Sequence, residues 1–452
     1  MTARCSRPPA LAAVVALVAL LGVVAAPAAA ASPARFAGAG VVQPAARIAA
    51  AGAPGLVRYP QYWFPQWDVP RIWAGGARGQ GITVAVIDTG VQASVGDLRG
   101  SVLSGTDLTG LGGDGHTDRD RDRFDHGTAM AALIAGHGGK FLAGVAPSSK
   151  ILPVAVPLVG TNQGSHSPGY IADAVRFAAG HGAKVISMSL GGLRYPGQDA
   201  VACPSDTQSA IFYALAKGAI VVAAGGNAGS KHSPTEEPGV CLGVVSVAAV
   251  DARRRAAAFS SRHPYLTVAA PGVAIPTINA ENVIYVGSGT SQATALTSGA
   301  LALIWSAHPR ETNRQITARL VAGVRDAGRH GDDETFGYGT IDPAASIATH
   351  LRPGAINPVF TRADPFLTGP GPAAASPPPK PAVATVVPAA AYVTAAPPTT
   401  GIPKATWLGV AVAALGLLVL LLLVLTRRPA SSGASGAPMW SGPPPAFTPP
   451  DG

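Results

Sequence analysis

Three residue types that together perform nucleophilic catalysis stand in short glycine-containing segments, far apart in a chain of 452 residues. Asp88 is followed by Thr-Gly, His126 lies between an aspartate and Gly-Thr, and Ser291 ends the segment Gly-Ser-Gly-Thr-Ser. In such a set the imidazole takes the hydroxyl proton, the hydroxyl oxygen attacks a carbonyl carbon, and the carboxylate orients the imidazole. These residues predict acyl-transfer chemistry if the fold brings them together.

Each segment taken alone has an ordinary structural interpretation. The carboxylate of Asp88 could cap a turn, a lone histidine such as His126 is more often structural, and Ser291 could be the N-cap of a helix. A fourth segment, Ala-Ala-Gly-Gly-Asn-Ala-Gly, contains Asn227, whose amide can hold a turn or donate a hydrogen bond to a developing oxyanion. The set in the order Asp, His, Asn, Ser predicts a catalytic site.

The elements that must position these residues form an alternating pattern, which predicts an α/β fold with a mainly parallel sheet covered on both faces. The predicted strands are the apolar runs Ile82–Ile87, Ile151–Val156, Lys184–Met188, Ala219–Ala223 and Val244–Val247. The predicted helices are Thr128–Gly136, Ile171–Ala179, Thr207–Ala216 and Ser291–Ser306. In such sheets, sites form beyond the carboxyl ends of the strands, where Asp88 and Asn227 stand.

The four segments resemble those of the subtilase family, the subtilisin-like serine proteases, in which Asp, His and Ser follow this order. Further segments agree with the family, namely Gly144–Pro147, Ser187–Gly192, Ala269–Gly272 and Gly337–Gly339. The resemblance covers residues 70–350 and implies a subtilisin-like three-layer sandwich. It implies a triad of Asp88, His126 and Ser291. It also implies an oxyanion hole formed by the Asn227 side chain and the Ser291 backbone N–H.

The resemblance also implies how a protein or peptide substrate is held, without any cofactor. It implies a primary specificity pocket lined by Ser189, Leu190, Gly191, Ala223, Ala224 and Gly225. The stretch Gly164–Ser167 is expected to pair with substrate as an edge strand. Two departures stand near the nucleophile, because most relatives have an apolar residue at Gln292 and proline at Ala295. Neither position supplies a proton or a charge, so we expect the chemistry to be retained with an altered pocket shape.

Both ends of the chain predict export and membrane attachment. Residues 1–31 read as a secretory signal peptide with an Ala-x-Ala cleavage region, although a retained signal anchor is the alternative. Residues 405–426 contain an apolar run flanked by a tryptophan and two arginines. This run predicts one transmembrane helix with a cytoplasmic C-terminus, a buried core helix being the alternative. The expected location is therefore the cell membrane, with the globular part outside.

The remaining segments are assigned by composition. Residues 32–69 form a short N-terminal extension, residues 70–351 the globular peptidase domain, and residues 352–404 a Pro/Ala-rich extended linker. Residues 427–452 are a Pro/Gly/Ser-rich cytoplasmic tail. The net charge of +9 is spread without a basic run or interleaved aromatic residues, so we predict no nucleic-acid partner.

The cysteines and one acidic loop complete the candidate features. Cys5 leaves with the signal peptide, and an exported chain most simply pairs Cys203 with Cys241, two free buried thiols being the alternative. In the loop Asp114–Asp125, three aspartates alternate with three arginines. This loop lacks the sixth-position glycine and final glutamate of an EF-hand, and its arginines neutralise the aspartates. We expect a solvated loop and no essential metal.

The order of segments along the whole chain resembles that of the mycosins, the subtilisin-like proteases attached to type VII secretion systems. The entry Tyr62–Trp67, leading to Arg71–Trp73, is similar to theirs. The resemblance implies exported protein substrates, a type VII secretion membrane complex as partner, and an N-terminal extension that leaves the site open. The alternatives are a general cell-surface subtilisin and a structural component that stabilises a secretion complex by contact.

Overall fold

The structure is a computed structural model that describes residues 36–37, 61–120, 124–139, 142–158, 169–194, 203–229, 235–352, 354–355 and 357–367. Its strands are β1 (Phe36–Ala37), β2 (Thr83–Asp88), β3 (Thr106–Asp107), β4 (Lys150–Ala155), β5 (Val185–Met188), β6 (Gly191–Arg194), β7 (Ile220–Ala224), β8 (Thr235–Glu237), β9 (Val244–Val250), β10 (Val268–Pro271), β11 (Ile275–Ile278) and β12 (Ile284–Gly287). Its α-helices are α1 (Trp63–Gln66), α2 (Val69–Ala74), α3 (His126–Ala135), α4 (Tyr170–Gly180), α5 (Ser205–Ala216), α6 (Thr290–Ala307), α7 (Asn313–Ala322), α8 (Pro343–Ala348) and α9 (Pro358–Leu367).

Seven parallel strands form the central sheet, in the order β10-β9-β7-β5-β2-β4-β3. Strands β7 and β9 are buried along their whole length, as expected for strands covered on both faces. The five predicted strands are all present, with ends displaced by no more than a few residues. The prediction of an α/β fold with a mainly parallel sheet is therefore confirmed.

Helices cover the sheet in two layers. Helix α6 is apolar on all sides and buried from Thr290 to Ser306, and it packs on β5, β7, β9 and β10 and against α3. Helices α4 and α5 pack on each other and on strands of the same sheet. Helix α3 begins at His126, and Ser291 is the second residue of α6. The packing of the two helices therefore fixes the positions of both predicted site residues relative to the sheet.

Two small antiparallel sheets and one disulfide flank the central sheet. Strand β6 lies between β1 and β8, and β11 pairs with β12. Cys203 and Cys241 form the predicted disulfide, with a sequence separation of 38 residues. The bond joins the segment before α5 to the turn after β8, so it ties β8 to the helical layer.

The packed region extends beyond the predicted domain at both ends. Trp63 and Trp67 are buried ahead of residue 70, because their rings pack into the main core. Helix α9 lies within the predicted linker and buries Val359, Phe360 and Ala363, a spacing that places all three on one helix face. Among the helices of the described ranges, none combines the length and hydropathy that a bilayer span requires. The predicted signal peptide and the predicted span at 405–426 lie outside the described residues.

Candidate active site

A buried carboxylate and an imidazole meet at the carboxyl end of the central strand β2. Asp88 is the last residue of β2, His126 is the first residue of α3, and Oδ1 of Asp88 lies 2.8 Å from Nδ1 of His126. The Asp88 side chain is fully buried and the His126 side chain is 12% exposed. A hydrogen bond from Nδ1–H to the carboxylate leaves Nε2 as the basic nitrogen, which is the arrangement that a general base requires.

The acidic loop before α3 holds the start of this helix. The backbone N–H of His126 donates to Oδ2 of Asp120 at 3.2 Å, and the N–H and hydroxyl of Thr128 donate to Oδ2 of Asp118. These donors lack partners within the helix, and the loop carboxylates satisfy them. The sequence predicts a solvated loop, whereas these aspartates turn inward and cap the helix that carries His126.

A glycine after the histidine allows the close approach of α3 to β2. The N–H of Gly127 donates to the hydroxyl of Thr89 at 2.9 Å. A Cβ atom at Gly127 would lie 2.1 Å from the carbonyl oxygen of Gly90, so no larger residue fits there. The glycine therefore sets the distance between the helix and the strand end, and with it the Asp88–His126 contact.

The electrostatic surroundings of His126 favour its protonated form. Burial would lower the pKa of the imidazole, but the charge and hydrogen bond of Asp88, with added attraction from Asp120 and Asp118, raise the pKa to about 9. Nε2 of His126 is buried and has no hydrogen-bond partner among the described residues. This nitrogen is therefore held ready for a proton while the ring is fixed by its other nitrogen.

Ser291 is the second residue of α6 and is joined to the sheet through Ser189. The Ser291 hydroxyl donates to the carbonyl oxygen of Ser189 at 3.0 Å, and the Ser189 hydroxyl donates to the carbonyl oxygen of Ser291 at 2.9 Å. Strands β5 and β2 are parallel neighbours with Val86 level with Ser187, and Asp88 and Ser189 each follow two residues later. Neighbouring strands lie about 4.8 Å apart, so these bonds place Ser291 at the edge of the sheet occupied by Asp88. No hydrogen bond joins Ser291 Oγ to His126 Nε2.

Asn227 reaches the same helix start from the loop after β7. Its Oδ1 accepts hydrogen bonds from the N–H of Thr290, at 2.9 Å, and from the Thr290 hydroxyl, at 3.0 Å. These bonds fix the side-chain amide so that its oxygen faces α6 and its NH₂ group points away from the Thr290 donors. The amide of Asn227 and the N–H of Ser291, at the positive end of the helix dipole, are the candidate oxyanion donors.

The residues predicted to line the primary pocket lie at the ends of two neighbouring strands. Strands β5 and β7 pair in parallel with Met188 level with Ala223. The predicted lining residues follow at or just beyond these ends, and all are buried: Ser189, Leu190, Gly191, Ala223, Ala224 and Gly225. The predicted edge strand Gly164–Ser167 lies outside the described residues.

Two features next to this pocket escape sequence reasoning. Strand β1 of the N-terminal extension pairs antiparallel with β6, Ala37 opposite Gly191, although the mycosin resemblance implies an extension that leaves the site open. Glu236 on β8 brings a carboxylate against Gly191 and Gly226. Neither short strand carries an alternating apolar pattern, so only the pairing with β6 reveals them.

Gln292 and Ala295, the two residues after Ser291 that depart from the family pattern, are both buried in the core. Gln292 is buried, and its Nε2 lies where a Cβ on Gly287 would stand. Ala295 is buried within an uninterrupted α6. Among the described residues, neither side chain forms a hydrogen bond with Asp88 or His126, so the Asp88–His126 hydrogen bond does not depend on either departure.

Comparison with known proteins decides the family. A family model for the subtilase family matches residues 79–339. The chain belongs to this family. The thermophilic serine proteinase of Bacillus sp. (strain AK1) is 40% identical over 247 residues, which cover 53% of this chain and 54% of that protein. Thermitase of Thermoactinomyces vulgaris is 33% identical over 282 residues, which cover 62% of this chain and 91% of that protein. This chain thus spans about half the length of the first relative and most of the second.

Solved structures with the same fold include proteases of secretion systems. MycP1 from the ESX-1 type VII secretion system is 26% identical with a TM-score of 0.55, over 66% of this chain and 87% of that one. MycP3 protease from the type VII (ESX-3) secretion system is 28% identical with a TM-score of 0.55, over 71% of this chain and 93% of that one. The predicted resemblance to mycosins is confirmed, and the chain is a subtilisin-type serine protease.

Proposed function

We propose that Asp88, His126 and Ser291 are the catalytic triad of a membrane-anchored endopeptidase that cleaves exported proteins. The observation that carries the proposal is the 2.8 Å contact between the buried Asp88 carboxylate and Nδ1 of His126. Ser291 supports it, because two hydrogen bonds to Ser189 hold this serine at the same edge of the sheet. A buried carboxylate that orients an imidazole beside a helix-mounted serine is the arrangement of serine proteases.

The first chemical step requires a rotation of the Ser291 side chain. Turning about its Cα–Cβ bond takes the hydroxyl from the Ser189 carbonyl oxygen towards Nε2 of His126. Nε2 then accepts the hydroxyl proton as Oγ attacks the substrate carbonyl carbon, and Asp88 stabilises the imidazolium that forms. The imidazolium gives its proton to the leaving amine, and a water molecule hydrolyses the acyl-enzyme by the same steps in reverse.

The negative charge of the tetrahedral intermediate develops at the start of α6. The Ser291 N–H and the NH₂ group of Asn227 are the donors that stabilise it. Because Thr290 fixes the oxygen of the Asn227 amide, these donors are oriented before substrate arrives. Preoriented donors of this kind need no rearrangement during the reaction, which is why they contribute strongly to catalysis.

The location and partner belong to the same proposal. Residues 1–31 export the chain, residues 405–426 anchor it by a single membrane pass, and the peptidase domain faces outwards. Likeness to MycP1 and MycP3, whose descriptions name type VII secretion systems, supports association with such a membrane complex. A general cell-surface subtilisin, and a mainly structural component of a secretion complex, are the competing functions.

A serine-directed probe tests the proposed site. The full-length chain should react with a fluorophosphonate, and the Ser291→Ala variant should not. Ser288→Ala is the matched control, because Ser288 lies in the same segment but accepts a hydrogen bond from the Ala274 N–H. Labelling that survives Ser291→Ala, or that is absent from the intact chain, would refute the assignment.

Secretion assays separate catalysis from scaffolding. In the producing cell, a protease role predicts that Ser291→Ala leaves exported proteins uncleaved. A scaffold role predicts that secretion survives Ser291→Ala and fails only when the whole chain is deleted. If export is normal even after deletion, a general cell-surface protease is the better description.

A further inference from the structure

Glu236 is a buried acid that the triad and the oxyanion donors do not use. It stands in the middle of β8, and the antiparallel register of β8 with β6 places it opposite Leu193. The residue is only 6% exposed. Burying a carboxylate is costly unless a partner compensates for its charge, so its position requires an explanation.

The carboxylate of Glu236 lies between two glycines. A Cβ atom on Gly191 would stand 2.3 Å from its Oε2, and a Cβ atom on Gly226 would stand 2.5 Å from its Cγ and 3.0 Å from its Oε1. The side chain therefore fills the space that side chains at both positions would otherwise occupy. Any larger residue at either position would collide with Glu236.

These two glycines belong to the two walls of the primary pocket. Gly191 ends the wall that begins at Ser189, and Gly226 follows directly after the wall Ala223–Gly225. The walls are held side by side by the parallel pairing of β5 with β7. The carboxylate therefore lies between the residues that the family resemblance assigns to the pocket for the side chain on the acyl side of the scissile bond.

The Glu236 carboxylate has a hydrogen-bond donor but no paired cation among the described residues. The backbone N–H of Asn227 donates to the carboxylate, and burial raises its pKa to about 7. The Tyr265 phenol accepts a hydrogen bond from the Glu236 backbone N–H. In the described part of the chain, no lysine or arginine forms an ion pair with Glu236.

We propose that Glu236 selects substrates with lysine or arginine immediately before the scissile bond. The proposal rests on the proposed function, because it assigns a specificity to the pocket beside Ser291. An incoming ammonium or guanidinium group supplies the missing cation, and its charge keeps the carboxylate ionised. A large apolar side chain would instead leave the carboxylate buried and unpaired, which disfavours its cleavage.

Strand β1 shows how a substrate would present this side chain. Ala37 and Phe36 pair antiparallel with Gly191 and Gly192, so the edge of β6 that β1 occupies can pair with an extended chain, and a substrate would displace β1 there. Main-chain pairing at that edge gives affinity that is independent of the substrate's sequence. Pockets for alternate substrate side chains then give specificity. Selectivity for a basic residue then depends on Glu236 alone.

Fluorogenic tetrapeptides that differ only in the last residue test the proposal on the full-length chain. Arginine and lysine substrates should exceed the leucine substrate by about 30-fold or more in kcat/KM, because pairing a buried charge is worth this much discrimination. Glu236→Gln, which keeps the shape and loses the charge, should abolish this preference by lowering turnover of the arginine substrate and raising turnover of the leucine substrate. A preference of the wild type for leucine or phenylalanine would overturn the proposal.

The neighbouring acid provides the matched control. Glu237 lies on the same strand, but its carboxylate accepts a hydrogen bond from the Thr207 hydroxyl of α5, at 3.3 Å. Glu237→Gln should therefore keep the preference for arginine. If Glu236→Gln lowers turnover of arginine and leucine substrates equally, Glu236 merely supports the Asn227 loop and the proposal is wrong.

A binding measurement separates this inference from the proposed function. Calorimetric titration of the Ser291→Ala variant with peptides ending in arginine or leucine requires no catalysis. Tighter binding of the arginine peptide, lost in the Ser291→Ala variant that also carries Glu236→Gln, supports the pocket assignment even if fluorophosphonate labelling fails. Equal binding of both peptides overturns the assignment even if labelling succeeds.

Discussion

The Ser291 hydroxyl donates its hydrogen bond to the carbonyl oxygen of Ser189, not to the imidazole of His126. The Asp88–His126 half of the proposed triad is therefore assembled, while the proposed nucleophile rests against the wall of the pocket. Under the proposed mechanism, the Ser291 hydroxyl leaves this carbonyl oxygen and turns towards Nε2 of His126 before it attacks. Staggered rotamers of a serine differ little in energy, so this step is not expected to limit turnover.

Removing the proposed nucleophile should separate activity from stability. Ser291→Ala loses one buried hydrogen bond, so the free energy of unfolding should fall by only about 1 kcal/mol. Peptide turnover should fall by about 10⁶, the loss measured for this change in subtilisin itself. Denaturant titration and turnover of a fluorogenic peptide give the two values. A large loss of stability with residual turnover would point to a structural serine.

The activity should rise with pH until His126 is neutral. Burial lowers and Asp88 raises the pKa of His126, with a net result of about 9, so the basic imidazole is a minority species at neutral pH. In the Glu236→Gln variant, which lacks this second titrating carboxyl, the kcat/KM for a leucine substrate should therefore increase up to about pH 9. A profile that is flat from pH 7 to pH 9 would contradict the described environment.

Asp120→Asn tests the source of this high pKa. The asparagine oxygen can still accept the His126 N–H, while the negative charge near the ring is lost. The rise of kcat/KM should move to lower pH with little change in the plateau. If the plateau falls and the pH dependence stays, Asp120 acts only as a helix cap.

The strands and helices of the fold could be predicted from the sequence because local patterns specify them. The run that ends at Asp88 is apolar and bounded by Thr-Gly, and it forms β2 with its ends displaced by one residue. The helix of His126 begins two residues earlier than predicted. Asp120 and Thr89, which lie outside the helix, accept hydrogen bonds from its first N–H groups. An apolar pattern in the sequence does not indicate such acceptors, so it places the start of the helix too late.

The position of the Glu236 carboxylate beside Gly191 could not be predicted from the sequence, because pairing between distant segments creates it. Glu236 follows Gly191 by 45 residues, and β8 has the polar sequence Thr-Glu-Glu, which carries no strand signal. The antiparallel pairing of β6 with β8 alone brings this side chain to Gly191. Helix α9 could not be predicted from the sequence either, because the burial of Val359 and Phe360 becomes apparent only with the surface on which they pack.

Replacing Asn227, the proposed oxyanion donor, should lower kcat while leaving KM nearly unchanged. Asn227→Asp keeps an oxygen for the Thr290 N–H but loses the NH₂ donor, so the loop should hold while the intermediate is no longer stabilised. The loss in kcat should be about 10²–10³ or more, the range for the equivalent asparagine of subtilisin itself. Steady-state kinetics with the arginine substrate measure both constants. A rise in KM at constant kcat would assign Asn227 to substrate binding only.

Breaking the disulfide should destabilise the region around β8. The Cys203–Cys241 bond closes a loop with a sequence separation of 38 residues, which corresponds to about 4 kcal/mol of chain entropy in the unfolded state. The Cys203→Ser and Cys241→Ser double variant should lose up to this amount in denaturant unfolding. Addition of a reductant should destabilise the wild type and leave the double variant unaffected. Equal stability of the two proteins would show that the bond constrains nothing.

The stability of the folded chain should depend on the charge of Glu236. Burial raises its pKa in the folded chain from 4.5 to about 7, so the unfolded chain releases the proton first. The stability that this group contributes is complete below pH 4.5 and is lost as the pH rises through about 7. Relative to Glu236→Gln, the wild type should therefore lose up to about 3 kcal/mol between pH 5 and pH 8. Urea unfolding of both proteins at the two values measures this difference.

A basic ligand should reverse the same loss. A peptide ending in arginine pairs with the ionised carboxylate, so it should stabilise the Ser291→Ala variant more at pH 8 than at pH 5. In the Ser291→Ala variant that also carries Glu236→Gln, the stabilisation should be small and equal at both pH values, because no charge appears there. Equal pH dependence with and without Glu236 would mean that another group titrates, and the carboxylate between Gly191 and Gly226 would then not be the acid of the pocket.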